Sequence, residues 1–466
     1  MMDSGIKTIH HDLTSRKRSC YEIVQEKLSL LSANTFKTAN LLLEESALTQ
    51  AKQVDEKIRS GKPIGLLEGI PFGIQDVILL QNSITTCGSA FLKRYKAPYT
   101  ATAIQKLIDA GAIPVVKEKC DNFGHGNAGG NTTVPNAKDT SDSSGCSAVN
   151  VAKGFTHFSI AADTGGSICK TAGSNRIWGL KPTYGRVSRY GMLANMSSTG
   201  CMGPLSSSLE DIRILINTMS GKDRNDPTTC SSPMIPENVF DAGYLHKGIV
   251  AGYYTNFLNY DYLDENIKND FLQLMDTLSA KGITIKPLDF FDVKQLVAVF
   301  HILAMAEEAS NLARFDGSLY GAIEKSSSHD ECMKTCADMF SEETKRRIVG
   351  GNMTLSHGNF EEIYLKARAL RNEIVDRLNA CFKEADIILS PVNACGGTTV
   401  FYDSTGDVAC NVSTNYIADA FTAGFSLGGL PTLTVPFFTP TGLQITSNKN
   451  QEDVILNFAH ALNEIQ

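Results

Sequence analysis

At the start of the chain, hydrophobic positions recur every three to four residues, which is the period of an α-helix. In residues 20–31 the apolar side chains follow this spacing from Tyr21 to Leu31. The same spacing continues through residues 38–60, and Gly61 ends the pattern. The sequence therefore predicts two amphipathic helices before the first extended segment.

Beyond these helices, short apolar runs alternate with longer stretches of helical periodicity. The predicted strands cover residues 71–80, 112–119, 155–162, 248–254, 282–288, 385–392 and 432–438. The predicted helices between them include residues 101–111, 208–221 and 265–282. Alternation of this kind favours an α/β protein with a mostly parallel or mixed central sheet.

Changes in composition divide the chain into four predicted segments. These are an N-terminal helical segment (residues 1–60), a core with a Ser/Gly-rich site (residues 61–230), an irregular insertion or second lobe (residues 231–345) and the C-terminal part of the core (residues 346–466). Glycine and serine concentrate between residues 124 and 175. In that stretch we expect backbone geometry to matter more than side-chain packing.

Charge and cysteine usage narrow the class of protein. The chain has 466 residues, of which 20% are charged, and this composition is typical of a globular protein. Its net charge of −7 argues against the binding of nucleic-acid phosphates by this chain alone. No apolar run approaches the roughly 18 residues of a membrane span, and residues 1–20 lack the apolar block of a signal peptide.

The cysteines follow no framework spacing, which predicts reduced thiols. Cys332 and Cys336 lie four residues apart without a third ligand nearby, so no metal site is predicted. We expect a protein of a bacterial cytoplasm or an organelle matrix, neither secreted nor membrane-bound.

A glycine-rich turn follows the predicted strand 155–162 and carries Ser167. Gly165 and Gly166 permit a sharp turn and allow a substrate to approach backbone N–H groups closely, which suits a nucleophile. The other serines of the Ser/Gly-rich region are Ser143, Ser144 and Ser147. The sequence contains no G-x-S-x-G elbow, P-loop, dinucleotide or metal motif, so the residues alone assign no general base.

Several longer motifs resemble the amidase signature family. They are "LLEGIPFGIQD" (66–76), "DTGGSI" (163–168), "GLKPTYGRVSRYG" (179–191), "ETKRRIVGGNMTLSHG" (343–358) and "FSLGGLPTLTVP" (425–436). The likeness covers nearly the whole chain, and within the family it is strongest to the A subunits of glutamyl-tRNA(Gln) amidotransferases. The resemblance implies the amidase signature fold, an α/β structure whose central mixed β-sheet is covered by helices on both faces.

The family uses a nucleophilic serine, a bridging serine and a lysine that accepts the proton. By resemblance, Ser167 corresponds to the nucleophile and Ser143 to the bridging serine, while Gln75 stands at the position of the lysine. Glutamine is not titratable and cannot act as a general base. The residues that correspond to the oxyanion hole are Thr164, Gly165 and Gly166. Ser144 and Ser147 are then loop residues, and the proton acceptor of the family is missing.

The resemblance also concerns residues that would lie near or contact the substrate. Lys170, three residues after the nucleophile, is either a substitute base or a lysine at the rim of the site. The resemblance implies that Arg347 binds the α-carboxylate of glutamine and that Asp419 binds its α-amino group. Phe300 and His301 replace a tyrosine pair of the family.

The resemblance implies three alternative functions. The first is an amidotransferase A subunit that hydrolyses glutamine and supplies ammonia for converting Glu-tRNA(Gln) to Gln-tRNA(Gln) in translation. The second is a scaffold in the same complex that has lost glutamine hydrolysis. The third is a stand-alone amidase, which the retained Arg347 and Asp419 disfavour.

The first two functions imply partners. They would be the B subunit of the amidotransferase, which uses ATP and Mg and makes most of the tRNA contacts, and a small third subunit. No cofactor or metal is expected in this chain.

Overall fold

The computed structural model describes residues 5–125, 144–241, 248–317, 328–394, 418–436 and 441–463. Within these residues, eleven strands form one sheet. The strands are β1 (Ala39–Leu42), β2 (Pro71–Gln75), β3 (Ile113–Glu118), β4 (Phe158–Asp163), β5 (Trp178–Lys181), β6 (Cys201–Ser206), β7 (Val250–Tyr254), β8 (Thr284–Leu288), β9 (Ile387–Pro391), β10 (Thr432–Val435) and β11 (Leu443–Ser447).

The helices of the described residues lie between these strands and flank the sheet. They are α1 (Ile6–Thr14), α2 (Cys20–Ala33), α3 (Glu44–Arg59), α4 (Thr102–Asp109), α5 (Gly145–Ala152), α6 (Ser167–Asn175), α7 (Leu209–Met219), α8 (Thr255–Leu258), α9 (Glu265–Ala280), α10 (Val293–Leu312), α11 (His329–Asp338), α12 (Glu342–Leu355), α13 (Leu365–Cys381), α14 (Ala423–Gly428) and α15 (Glu452–Asn463). A π-helical turn, Phe360–Tyr364, leads directly into α13.

The sheet is mixed, in the order β1-β3-β2-β4-β6-β5-β10-β11-β9-β7-β8. Strand β2 runs parallel to both β3 and β4, and β7 runs parallel to both β8 and β9. The other pairings are antiparallel. The predicted α/β fold with a mixed central sheet and helices on both faces is confirmed. Because β2 and β4 are parallel neighbours, their carboxyl ends meet at one edge of the sheet.

Helix ends follow local side-chain chemistry. Ser19 and Glu22 form a reciprocal capping box that begins α2. Asp264 accepts hydrogen bonds from the first backbone N–H groups of α9, and Ser341 does the same for α12. The capped start of α12 matters for function, since this helix carries Arg347.

Two predicted elements differ most in extent from the structure. The predicted helix 38–60 is wrong at its start, because Ala39–Leu42 pairs antiparallel with β3 and the helix begins at Glu44. The apolar residues of β1 cover the edge of the sheet, which helical periodicity alone does not reveal. The predicted strand 71–80 ends at Gln75, where the chain turns.

The four-segment division of the chain stays a prediction. The structure adds that the segment 231–345 contributes β7 and β8 to the same sheet as the segments before and after it. No helix among the described residues combines the length and the apolar character that crossing a bilayer requires.

Candidate active site

The turn before α6 is held by a buried carboxylate. Strand β4 ends at Asp163, whose two carboxylate oxygens accept hydrogen bonds from the backbone N–H of Gly166 (2.8 Å) and of Ile168 (2.7 Å). Burial raises the pKa of Asp163, and these hydrogen bonds together with nearby lysines partly offset that effect. Ser167 is the first residue of α6, so its side chain stands at the helix N-terminus. This fixed turn is suited to present a nucleophile.

Two glycines of this turn are required by close packing. Gly166 has φ +108°, and a Cβ there would lie 2.3 Å from the Cβ of Thr422. A Cβ on Gly165 would lie 2.6 Å from Cζ of Phe300. Thr422 also donates a hydrogen bond from its hydroxyl to the carbonyl oxygen of Gly165, at 2.5 Å. The nucleophile turn is therefore pressed against α10 and the segment that precedes α14.

Gln75 lies at the end of β2 and is completely buried. Its side-chain Oε1 accepts a hydrogen bond of 2.6 Å from the backbone N–H of Ala162, one residue before the end of β4. The amide thus lies next to the strand that leads to Ser167. At this position it can donate or accept a hydrogen bond, but it cannot take a proton.

The serine loop reaches the same strand. Ser144 Oγ donates to the carbonyl oxygen of Ala162 at 3.1 Å, so Ser144 and Gln75 bind the two backbone groups of one residue. Ser143, the predicted bridging serine, lies outside the described residues. Its neighbour Ser144 brings the start of α5 to the carboxyl ends of β2 and β4. The prediction that Ser147 is a loop residue is wrong, because Ser147 is buried on α5.

The predicted oxyanion hole comprises three backbone N–H groups. The backbone N–H of Gly166 donates a hydrogen bond to the Asp163 carboxylate, so this N–H group helps to hold the turn itself. The predicted role therefore rests on the N–H groups of Thr164 and Gly165. Thr164 also lines a cavity beside the turn.

Arg347 is buried, and each of its three guanidinium nitrogens donates to an oxygen of this chain. Nε lies 2.7 Å from Glu343 Oε1, Nη1 lies 2.9 Å from Glu308 Oε1, and Nη2 lies 3.0 Å from the carbonyl oxygen of His125. Although burial raises the pKa of Glu343, the Arg346 and Arg347 guanidinium groups outweigh it and lower the pKa to about 2. The predicted carboxylate-binding arginine is thus held by two internal carboxylates.

Asp419 is buried, and its carboxylate contacts Lys170 and His301 of this chain. Its Oδ1 lies 2.7 Å from Lys170 Nζ, and its Oδ2 lies 3.0 Å from His301 Nε2. Burial alone would raise the pKa of Asp419, but Lys170 and His301 outweigh it and hold that pKa well below its usual range. Lys170 therefore points towards Asp419 and donates a hydrogen bond to that carboxylate.

A second buried ion pair, between Lys117 and Asp76, lies next to Gln75. Lys117 Nζ lies 3.4 Å from Asp76 Oδ1 and 3.5 Å from the carbonyl oxygen of Gln75, and it also donates to the carbonyl oxygen of Ile78. Both charged side chains are at most 1% exposed. The sequence signals that could have found this pair are a lysine inside an apolar run and an aspartate directly after a buried strand.

The cysteines near the turn are unsuited to act as nucleophiles. Cys169 is buried two residues after Ser167, and burial raises the pKa of its thiol to about 12. Burial likewise raises the pKa of Cys146, near the start of α5, to about 12. A thiol with so high a pKa has little thiolate at neutral pH. Ser167 is the better nucleophile of this turn.

A cavity of about 270 Å³ opens beside the turn at Thr164, and Arg189 and Asp226 also line it. A smaller cavity of about 20 Å³ is lined by Gln75 and Ala162. The residues that line both cavities are Thr164, Met192, Leu193 and Asn195. The larger cavity therefore adjoins the ends of β2 and β4.

Comparison with known proteins identifies the family of the chain. The family model described as Amidase matches residues 22–456. The chain belongs to the amidase family. The resemblance inferred from the motifs is thereby confirmed.

Individual members of the amidase family resemble the chain over nearly its full length. A protein of Trichodesmium erythraeum, named as the A subunit of glutamyl-tRNA(Gln) amidotransferase, is 34% identical over 98% of this chain and 97% of that relative. A protein of the same name from Ruthia magnifica is 34% identical, over 95% and 93%. The crystal structure of a protein of that name from Thermotoga maritima has a TM-score of 0.72 and 27% identity, covering 96% of this chain and 95% of that structure.

In this amidase-family chain, the structure brings the predicted site residues together in two groups. Gln75 and Ser144 both bind Ala162 near the end of β4, the strand that precedes the Ser167 turn. Lys170 and Asp419 meet one helical turn after Ser167. The residues that sequence patterns missed are those that support or neutralise these groups: Asp163, Lys117, Glu308 and Thr422.

Proposed function

We propose that this chain is the A subunit of a glutamyl-tRNA(Gln) amidotransferase, in which it hydrolyses glutamine and supplies ammonia to a partner protein. The observation that carries this proposal is the identity of 34% over 98% of the chain with a protein of that name. The fixed turn at Ser167, beside an open cavity, supports it chemically.

The chemistry would proceed by acyl transfer. Ser167 Oγ attacks the carboxamide carbon while the N–H groups of Thr164 and Gly165 stabilise the developing oxyanion. The C–N bond breaks, ammonia leaves with a proton, and water then releases glutamate from the acyl-serine. Ser143 would relay the proton of Ser167 to the leaving nitrogen, and Gln75 would hold this arrangement by hydrogen bonds without accepting the proton.

The partners belong to the same proposal. The B subunit of the amidotransferase would activate Glu-tRNA(Gln) with ATP and Mg and bind most of the tRNA, and a small third subunit would complete the complex. The net charge of −7 supports this division, because an acidic chain has little attraction for tRNA phosphates.

A second candidate function is favoured by Gln75. A chain whose general base is replaced by an amide keeps its fold and its place in the complex, while its hydrolysis of glutamine has lapsed. Losing proton transfer costs about 10²–10⁴ in rate. Such a complex would still use free ammonium for transamidation.

The test is transamidation by the reconstituted complex of this chain with the B subunit and the small third subunit, using Glu-tRNA(Gln) and ATP. Product formation with glutamine that is abolished by Ser167→Ala, while ammonium supports both forms, establishes the first function. Product formation with ammonium alone establishes the second. Absence of product from either nitrogen source, with all three proteins folded, contradicts both.

A further inference from the structure

The cavity beside the nucleophile turn carries an inference about how the site recognises its substrate. Thr164 of the turn lines this cavity, and so do Arg189 and Asp226. Its volume of about 270 Å³ has room for a ligand of about nine non-hydrogen atoms, because one water takes about 30 Å³. Apolar side chains, among them Met192 and Leu193, form other parts of its wall. Charged groups set in an apolar wall are typical of a site for a small polar ligand.

We infer that Arg189 and Asp226 form a specificity-determining pair, in which the guanidinium receives the carboxylate of an α-amino acid amide and the Asp226 carboxylate receives its ammonium group. The inference rests on the proposed function, because it assumes that Ser167 attacks the carboxamide of that ligand. It names residues that would select L-glutamine, and it adds no chemical step.

The guanidinium of Arg189 is fixed in place and still has N–H groups to donate. It lies 5.0 Å from the centre of the Tyr184 ring, Nη1 donates to the carbonyl oxygen of Ser197, and Nη2 lies 3.4 Å from Asp226 Oδ1. Each terminal nitrogen carries a second N–H, for which the described part of the chain supplies no hydrogen-bond acceptor. The side chain is 18% exposed, so a carboxylate in the cavity can reach it.

Asp226 supplies the negative charge of the pair. Its Oδ1 accepts hydrogen bonds from the backbone N–H and the hydroxyl of Thr228, at 3.1 and 2.6 Å, and its Oδ2 accepts one from the backbone N–H of Arg189 at 2.8 Å. Although burial raises the pKa of Asp226, these hydrogen bonds and the charge of Arg189 outweigh it and lower that pKa. Asp226 is therefore a carboxylate at neutral pH, and an ammonium group beside it meets a full negative charge.

Arg189 is better placed for an incoming carboxylate than Arg347, the arginine that the family resemblance implies. Every guanidinium nitrogen of Arg347 donates to an oxygen of this chain, and two of these oxygens belong to Glu308 and Glu343. Arg347 lines neither cavity beside the turn, whereas Arg189 lines the larger one. A carboxylate can therefore bind Arg189 without displacing a carboxylate that is held at short range.

L-Glutamine matches this pair in charge and in size. It has about ten non-hydrogen atoms, and it carries its carboxylate and its ammonium group on one carbon. With this end at Arg189 and Asp226, the carboxamide at the other end can extend towards Thr164, whose backbone N–H is predicted to stabilise the oxyanion. An amide without charges gains from neither residue, so the site should prefer L-glutamine to butyramide.

The experiment measures binding by calorimetry to the full chain carrying Ser167→Ala, so that no ligand is consumed. The ligands are L-glutamine, glutaramate, which lacks the ammonium group, and butyramide, which lacks both charges. Arg189→Gln and Asp226→Asn are introduced separately into this protein, and thermal unfolding verifies that each variant folds. Arg377→Gln is the matched control, because it removes an arginine that pairs with Asp289 on the surface.

We expect Arg189→Gln to weaken L-glutamine and glutaramate by about tenfold and to leave butyramide within about twofold, since a charge-assisted hydrogen bond at a partly exposed site is worth roughly that factor. Asp226→Asn should weaken L-glutamine and not glutaramate, and Arg377→Gln should change neither. Equal weakening of all three ligands by Arg189→Gln shows a merely structural role and overturns the inference. A selective loss of both carboxylate ligands in Arg347→Gln but not in Arg189→Gln overturns it too.

Asn225→Asp keeps the test decisive if Arg189→Gln does not fold. Asn225 is exposed and lines the cavity, and the change adds a negative charge there with almost no change in side-chain size. It should weaken glutaramate by about threefold, because a like charge near the carboxylate opposes binding, and leave butyramide unchanged. Equal affinity for glutaramate with and without Asn225→Asp overturns the carboxylate position.

Failure of this inference and failure of the proposed function give different results. An order of ligand affinities that does not depend on Arg189, together with transamidation from glutamine by the complex, overturns the inference alone. An order that depends on Arg189, without transamidation from either nitrogen source, contradicts the amidotransferase assignment alone. Binding of none of the three ligands by the folded chain overturns the inference as well.

Discussion

At the residue scale, the proposed chemistry depends on Gln75, whose amide lies buried against Ala162 at the position where the family resemblance implies a proton acceptor. The charged lysines near it are held elsewhere. Lys170 lies on Asp419, and Lys117 lies on Asp76. Because both lysines pair with carboxylates of this chain, we expect Gln75 to limit the hydrolysis of glutamine under the proposed function.

Gln75→Lys tests this limit. If the missing base is the main defect, the variant should raise glutamine hydrolysis by at least about tenfold, because general-base catalysis contributes about 10²–10⁴. Ammonia release is the measurement. Gln75→Met, which has similar length and no titratable group, is the matched control and should give no gain. Equal rates for the lysine and methionine variants would show that another part of the site limits the reaction.

At the element scale, the nucleophile turn depends on its contact with the segment before α14. Gly166→Ala should destabilise the fold by about 1–2 kcal/mol for the left-handed backbone and about 1–3 kcal/mol more for the clash with Thr422. Hydrolysis should fall as well, since the turn carries Ser167. Denaturant unfolding and ammonia release measure the two effects.

Gly154→Ala is the matched control for this prediction. Gly154 has φ +69°, and no atom lies within 4 Å of the position of its Cβ. It should therefore show the backbone cost without the clash. A loss of stability in Gly166→Ala no larger than that in Gly154→Ala would contradict the close packing of the turn.

The packing of α5 on the sheet contains a buried carboxylate. Glu118 on β3 accepts hydrogen bonds from Asn150 Nδ2 (2.9 Å) and Ser159 Oγ (2.7 Å). Burial raises the pKa of Glu118 above its ordinary value of 4.5, and these hydrogen bonds only partly offset the effect. Because the folded pKa is the higher one, the unfolded chain loses this proton first as pH rises. Stability therefore falls with pH between 4.5 and the folded pKa.

Glu118→Gln removes this titration and keeps an oxygen that can accept both hydrogen bonds. The variant should be more stable than the unmodified chain at alkaline pH and should show a smaller fall in stability between acid and neutral pH. Thermal unfolding across a pH series measures this. Parallel pH profiles for the two proteins would contradict a destabilising charge at Glu118.

At the scale of the whole molecule, the fold follows from sequence patterns better than the site does. An apolar run such as residues 385–392 predicted β9, because a fully buried strand needs apolar side chains on both faces. Helical periodicity did not distinguish β1 from the start of α3, since four edge residues are too few to show a period. The order of strands in the sheet depends on contacts distant in sequence, which no local pattern contains.

The candidate site, like the fold, was predictable from the sequence only in part. The Gly-Gly-Ser turn was predictable, because positive φ and close approach require glycine. The ion pair of Lys170 with Asp419 was not, because it joins residues 249 positions apart through the packing of α6 against the segment before α14. The pairing of Arg347 with Glu308 was hidden for the same reason, since Glu308 lies on a different helix.

The most direct test of the account is ammonia release from glutamine by the complex of this chain with its partner proteins and Glu-tRNA(Gln). The comparison is between the unmodified chain and Ser167→Ala. We predict ammonia release that Ser167→Ala lowers by at least about a hundredfold, as expected when a covalent nucleophile is removed. Equal release by the two proteins would contradict glutamine hydrolysis at Ser167.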